Sequence, residues 1–305
     1  MDKLLLKILL GFVKFFFSDE KDFAQLKIIT QTKVMMDRRR VAIGMGRKVQ
    51  KENANPLLVT LIVYSILGLF MALLIGGFSI LSSMIIFHGY LLFMMAMTLI
   101  TDFSSVLLDT ADNNIILPKP VKGRTVFIAR VVHILVYLLQ FTIALALFPL
   151  IAAFIKFGLV VGLAMLMTIT LTVGLAVFLS YFLYALILRF ADEQKIKDIV
   201  GYFQIFITIL FGVGSQLLPR LVNFEKLNLS FSLHWYSYLI PPVWMAAVLE
   251  SVHLMHFNRS GYAMLALALL VPIFAVWLMV TYLAPGFSKK LALLGNNSGK
   301  VVNKD

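Results

Sequence analysis

Cysteine is missing altogether from this 305-residue chain, which rules out disulfides and thiolate metal sites and leaves redox compartment without a marker. Charge is scarce as well: Asp, Glu, Lys and Arg are 14% of the residues, against about 25% in soluble domains. Acids are the scarcer sign, 15 against 27 Lys and Arg, and none lies in the long apolar runs. A phosphate-binding loop is also lacking. The nearest string, Gly295-Asn296-Asn297-Ser298-Gly299-Lys300-Val301, is one residue short and has no Ser or Thr after the lysine. What fills the chain instead is apolar residues, 61% of the total with a mean hydropathy of +0.93, which places it in a bilayer.

A membrane-crossing helix takes roughly 20 mainly apolar residues. Six segments meet that length: 57–77, 80–100, 127–155, 158–188, 199–219 and 262–284. The run from Thr125 to Leu188 is too long for one crossing, and Lys156 with Gly158 marks the expected turn within it. With six crossings and both termini cytoplasmic, 23 of the 27 basic residues fall on the inner side, leaving Lys156, Arg220, Lys226 and Arg259 outside. That distribution obeys the positive-inside rule. The net charge of +12 therefore reads as topology with affinity for anionic lipid, and argues against nucleic acid as a partner.

Residues 1–56 form a cytoplasmic or interfacial region. On a helical wheel Lys3, Lys7, Lys14 and Lys21 fall within about 40° of one another, opposite Leu4, Leu5, Ile8, Leu9, Phe12, Phe15 and Phe16. This predicts a helix lying in the membrane interface. A secretory signal fits less well, because Lys7 and Lys14 interrupt the apolar stretch and Ser18-Asp19-Glu20 offers no small-residue cleavage site. A second amphipathic stretch is expected over Asp22–Met36, followed by the basic cluster Arg38-Arg39-Arg40. The segment 220–261, expected outside, holds Trp235, Tyr236, Tyr238, Pro241, Pro242 and Trp244, with an apolar run too short to cross. It is read as a re-entrant or interfacial hairpin between spans five and six, its aromatics belonging to an interfacial belt. The fold class expected is thus an all-α polytopic membrane protein with six transmembrane helices, an N-terminal interfacial amphipathic helix and an outer re-entrant hairpin.

Between spans two and three runs a charged, proline-bracketed loop, 101–126. Asp109 and Asp112 open it, Ile115, Ile116 and Leu117 give it an apolar face, and Pro118 and Pro120 flank Lys119. Val121, Lys122 and Arg124 then lead towards Arg130. Prolines fix φ and restrict the residues before them, so the loop is stiff.

Polar residues elsewhere are few. His88, His133, Gln140 and Gln204 fall in predicted spans, where each either lines a pathway or makes a packing hydrogen bond between helices. Gly158 and Gly162 have the spacing of a close helix contact. Glu250, His253 and His256 have metal-ligand spacing, yet such a string in an aromatic interfacial segment reads better as polar surface, and no metal site is assigned. No catalytic or cofactor-binding residue is assigned either. A secondary carrier would need an acid within its spans. An intramembrane enzyme or scaffold would need a convergent polar constellation that only 250–256 begins to supply.

The order of these parts resembles the permease of ABC-2-type exporters. The resemblance covers roughly residues 20–285 and is closest in the loop. There an acidic stretch, Asp109 and Asp112, precedes Ile115-Ile116-Leu117-Pro118, then Pro120-Val121, Lys122 and the bases Arg124 and Arg130. Many members carry Ser or Thr where Lys122 stands, and an acidic-Gly-Thr lead-in where Asp109-Thr110-Ala111-Asp112 stands. The resemblance implies a non-enzymatic, multi-pass permease subunit of the cell (inner) membrane. It binds no cofactor itself; ATP and Mg would sit on a separate ATPase subunit into which residues 109–124 dock. It also implies a second permease copy or a second half as partner. Residues 286–305 are read as a polar cytoplasmic tail, of which Gly295–Asp305 is either an end or the start of that second half.

Overall fold

The computed structural model describes residues 2–14, 19–37, 56–106, 121–190, 202, 205 and 234–283. Among them the chain is helical apart from short turns and connections, with no strand. In order come α1 (Asp2–Lys14), α2 (Glu20–Asp37), α3 (Pro56–Gly77), α4 (Ile80–Val106), α5 (Gly123–Phe157) and α6 (Leu159–Phe190). A 3₁₀ turn (Trp235–Leu239), α7 (Pro241–His253), α8 (Arg259–Leu278) and a π-helical turn (Met279–Leu283) follow. Five stretches among the described residues are long and apolar enough to cross a membrane: Leu57–Gly77, Ile80–Ile100, Val132–Phe157, Leu159–Leu183 and Arg259–Leu278. They match five of the six expected spans; the remaining one, 199–219, lies outside the described residues except for Tyr202 and Ile205.

The chain divides into two compact units, Met1–Leu73 with Thr110–Ile151 and Leu74–Asp109 with Ala152–Asp305. In the first, α1 and α2 share a core with the start of α5. Leu6 and Leu10 from α1, and Leu26 and Val34 from α2, bury against Ala129, Val132 and Val136. Further along, α3 meets α5 closely enough that a Cβ at Gly68 would collide with the carbonyl oxygen of Leu145. Tyr64 packs edge-on against Phe141 there, ring centres 4.9 Å apart.

The expectation that α2 is amphipathic needs a correction. α2 buries one side, through Leu26, Thr30, Lys33 and Val34, yet Ile28, Met35 and Met36 stand exposed on the other. Its apolar residues are thus split between two faces. On α1 the buried row is Leu6 and Leu10, while Leu4 and Ile8 are exposed. A wheel drawn on one helix sorts residues by polarity only, and here a protein neighbour claims part of the apolar surface.

In the second unit α7 lies among α4, α6 and α8, with its most extensive contact on α4. Its 13 residues make a helix about 20 Å long, too short to cross the roughly 30 Å apolar core of a bilayer. Pro241 and Pro242 occupy its first two positions, where no N–H is needed, and so begin the helix rather than break it. Residues Pro242 to Leu249 are all buried. The aromatics of this segment separate accordingly. Trp235 is exposed, whereas Trp244 is buried and its Nε1–H donates to the Tyr238 carbonyl at 3.1 Å.

The turn expected at Lys156 and Gly158 is present: Gly158, at φ +89°, is the single residue between α5 and α6. Gly158 is therefore a turn residue and not part of a helix-pairing motif. Gly162 instead leaves room for the Phe154 ring, into which a Cβ would run.

Candidate functional site

Two polar clusters are built at helix ends, one at the start of α5 and one at the α5–α6 turn. The start of α5 adjoins the proline-bracketed loop. Asp109, Asp112, Ile115, Ile116, Leu117, Pro118, Lys119 and Pro120 lie outside the described residues, as does Gln204. Val121 is half-buried, Lys122 exposed, and Arg124 stands in the first turn of α5.

Lys122 does two things at once. Its carbonyl accepts from the N–H of Thr125 at 2.9 Å and of Val126 at 3.2 Å, which starts α5. Its ammonium donates to Asp22 Oδ2 at 2.7 Å and lies 3.5 Å from Asp19 Oδ2. Asp19 in turn starts α2. Its Oδ1 accepts the Lys21 N–H at 2.9 Å and its carbonyl accepts the Phe23 N–H at 3.1 Å, the arrangement of an aspartate N-cap. Acids are favoured at a helix N-terminus because four N–H groups there lack helical partners and carry partial positive charge.

The charges are tuned to each other. The Lys21 N–H, and then Lys122, hold the Asp19 carboxyl below the ordinary carboxylate range. The hydrogen bond and charge of Asp22 raise the Lys122 ammonium. Asp19 therefore contributes stability that is lost only as pH falls through its lowered value, and Lys122 stability that is lost only as pH rises through its raised one. The junction stays charged between them. Neither Asp19 nor Asp22 is assigned a role by the sequence pattern, although an Asp directly before a first turn that holds Glu20 and Asp22 is the signal that finds such a cap.

At the α5–α6 turn the Lys156 ammonium donates to three carbonyls, those of Ile75 (2.8 Å), Gly76 (3.0 Å) and Phe78 (2.8 Å). The last carbonyls of α3 have no helical donors, and a cation is the natural partner for that negative end. The C-terminal end of α7 approaches the same turn, with His253 edge-on to Phe157 at 5.4 Å between centres.

The polar residues of the predicted spans differ in fate. His88 is fully buried, with Nδ1 2.9 Å from the Met84 carbonyl and Nε2 2.9 Å from Thr168 Oγ1. A carbonyl only accepts, so Nδ1 carries the ring proton and Nε2 faces the hydroxyl. His88 thus ties α4 to α6, the packing alternative of the two. His133 and Gln140 are buried along α5 and line a narrow crevice with Val34, Leu57, Val136 and Tyr137. Among the described residues the Gln140 Oε1 has no hydrogen-bond partner. Among the described residues no three of His, Cys, Asp and Glu converge as metal ligands. Helix α7 ends at His253, and Met255 turns the chain with φ +51°, so Glu250, His253 and His256 do not share a helical face. Glu250 is partly buried, which raises its carboxyl above the ordinary value.

No protein-family model, curated protein or solved structure matches this chain.

Proposed function

We propose that the chain is the membrane-spanning permease subunit of an ABC-type exporter, moved by ATP hydrolysis on a separate subunit. The observation that carries this reading is the seating of the loop's exit. Lys122, where residues 107–122 meet α5, is tied to the N-terminal helix pair, and that pair is packed on the same helix. A loop fastened in this way delivers force to a span, whereas a freely hanging one does not.

Two features of the chain support it further. The five apolar stretches contain no Asp or Glu, which disfavours an ion-coupled carrier. Of the buried histidines, His88 is engaged in packing between α4 and α6. In this reading residues 109–124 dock in a cleft of the ATPase, with acids and bases setting register and Ile115, Ile116 and Leu117 supplying buried area. ATP acts by binding the two permease states differently. The N-terminal helices lie at the inner membrane surface, where the exposed Leu4 and Ile8 meet lipid and the exposed Lys7 and Lys14 meet head groups.

Co-purification with a co-expressed ABC-type ATPase subunit tests the proposal. Reversing Asp109 and Asp112 together is expected to abolish association while leaving membrane insertion intact. An ATPase that stays bound to, and stimulated by, that variant would show the docking assignment to be wrong.

A further inference from the structure

The Lys122 junction joins the beginnings of two helices. Lys122 supplies the carbonyl that starts α5, and Asp19 supplies both carbonyl and cap that start α2. Moving the Lys122 backbone therefore moves the first turn of α5, and moving its ammonium pulls on the first turn of α2. Asp22 is the more enclosed of the two acids, its side chain 17% exposed against 50% for Asp19, and it makes the shorter contact. Beyond the junction α2 and α5, together with α1, share the core of Leu6, Leu10, Leu26, Val34, Ala129, Val132 and Val136.

We infer that the Asp22–Lys122 pair is a positional lock: it fastens the loop-side end of the N-terminal helix pair to α5, so that helix pair and span respond as one lever when the loop is loaded. This rests on the permease reading above. Exposed ion pairs add little to folding stability because water and salt already solvate both charges. Lys122 is 65% exposed, so the apolar core holds the fold and the pair fixes only where the loop-side end sits. Loss of the pair should thus leave a folded permease that binds its ATPase and transmits poorly.

The test uses the full chain with its ATPase in lipid nanodiscs. It compares wild type, Asp22→Asn, Asp22→Lys and Asp22→Glu. Expected are wild-type amounts of bound ATPase in all three variants. Stimulation of ATP hydrolysis by the permease should fall at least threefold in Asp22→Lys and less in Asp22→Asn, and stay near wild type in Asp22→Glu, which keeps the charge. Full stimulation in Asp22→Lys overturns the lock, as does a loss in Asp22→Glu equal to that in Asp22→Lys. Should Asp22→Lys not fold, Asp22→Asn decides: wild-type stimulation in it overturns the lock. Failure of the permease reading shows separately, as a wild-type chain that neither binds nor stimulates an ATPase, and the lock falls with it.

Discussion

A single lysine near the middle of a 64-residue apolar run, Thr125–Leu188, invites the reading that it marks a turn, and Lys156 does. Its chemistry goes further than its position. Three carbonyls at the end of α3 converge on its ammonium, which meets the need of a helix C-terminus for donors. A hydrogen bond to a charged group is worth more than a neutral one, although exposure to water reduces the gain. Replacing Lys156 with Met is therefore expected to lower stability by about 1 kcal/mol, read as a fall in Tm of the purified protein in detergent, with Lys156→Arg recovering part of it. An unchanged melting curve for Lys156→Met would mean that these carbonyls are served as well by water. Nothing in the sequence links residue 156 to residues 75–78, since they are about 80 positions apart and the carbonyls belong to the backbone. By contrast, Gly158 was legible at once, because a one-residue connection between antiparallel helices demands a positive φ that glycine adopts without cost.

Elements were legible where apolar length alone decides them. α3, α4, α5, α6 and α8 coincide with expected spans, and their limits differ by a few residues because helices continue past the apolar core into polar turns. The short helix α7 was harder to read. Its run Val243–Leu249 is too short to cross, and only the neighbours α4, α6 and α8 make a buried helix of it. The histidine in α4 belongs at this scale too, since its meaning depends on the facing helix. His88 and Thr168 bridge α4 and α6, so truncating either should cost roughly 0.6–2 kcal/mol, with truncation of both costing less than the sum. A double-mutant cycle of His88→Leu and Thr168→Val, followed by thermal unfolding, measures this coupling. Additive losses would mean that the bond contributes nothing to the helix pair.

For the whole molecule, charge placement and the structure address different questions. The distribution of Lys and Arg predicts that residue 122 faces the cytoplasm and residue 156 the opposite side. Because the chain contains no cysteine, single cysteines at positions 122 and 156 can be labelled from each side without background. Labelling of 122 from inside and 156 from outside is expected; the reverse pattern would invert the topology. Class and approximate spans followed from composition and run length, because hydrophobic transfer is a property of residues taken one at a time. The tertiary structure alone decided that α1 and α2 pack on α5 and that Asp22 pairs with Lys122. It alone decided that Lys156 caps α3 and that His88 binds helices together. Each of those is a contact between residues 78 to 100 positions apart, or between whole helices, and such contacts depend on how faces meet in space, which no local pattern records.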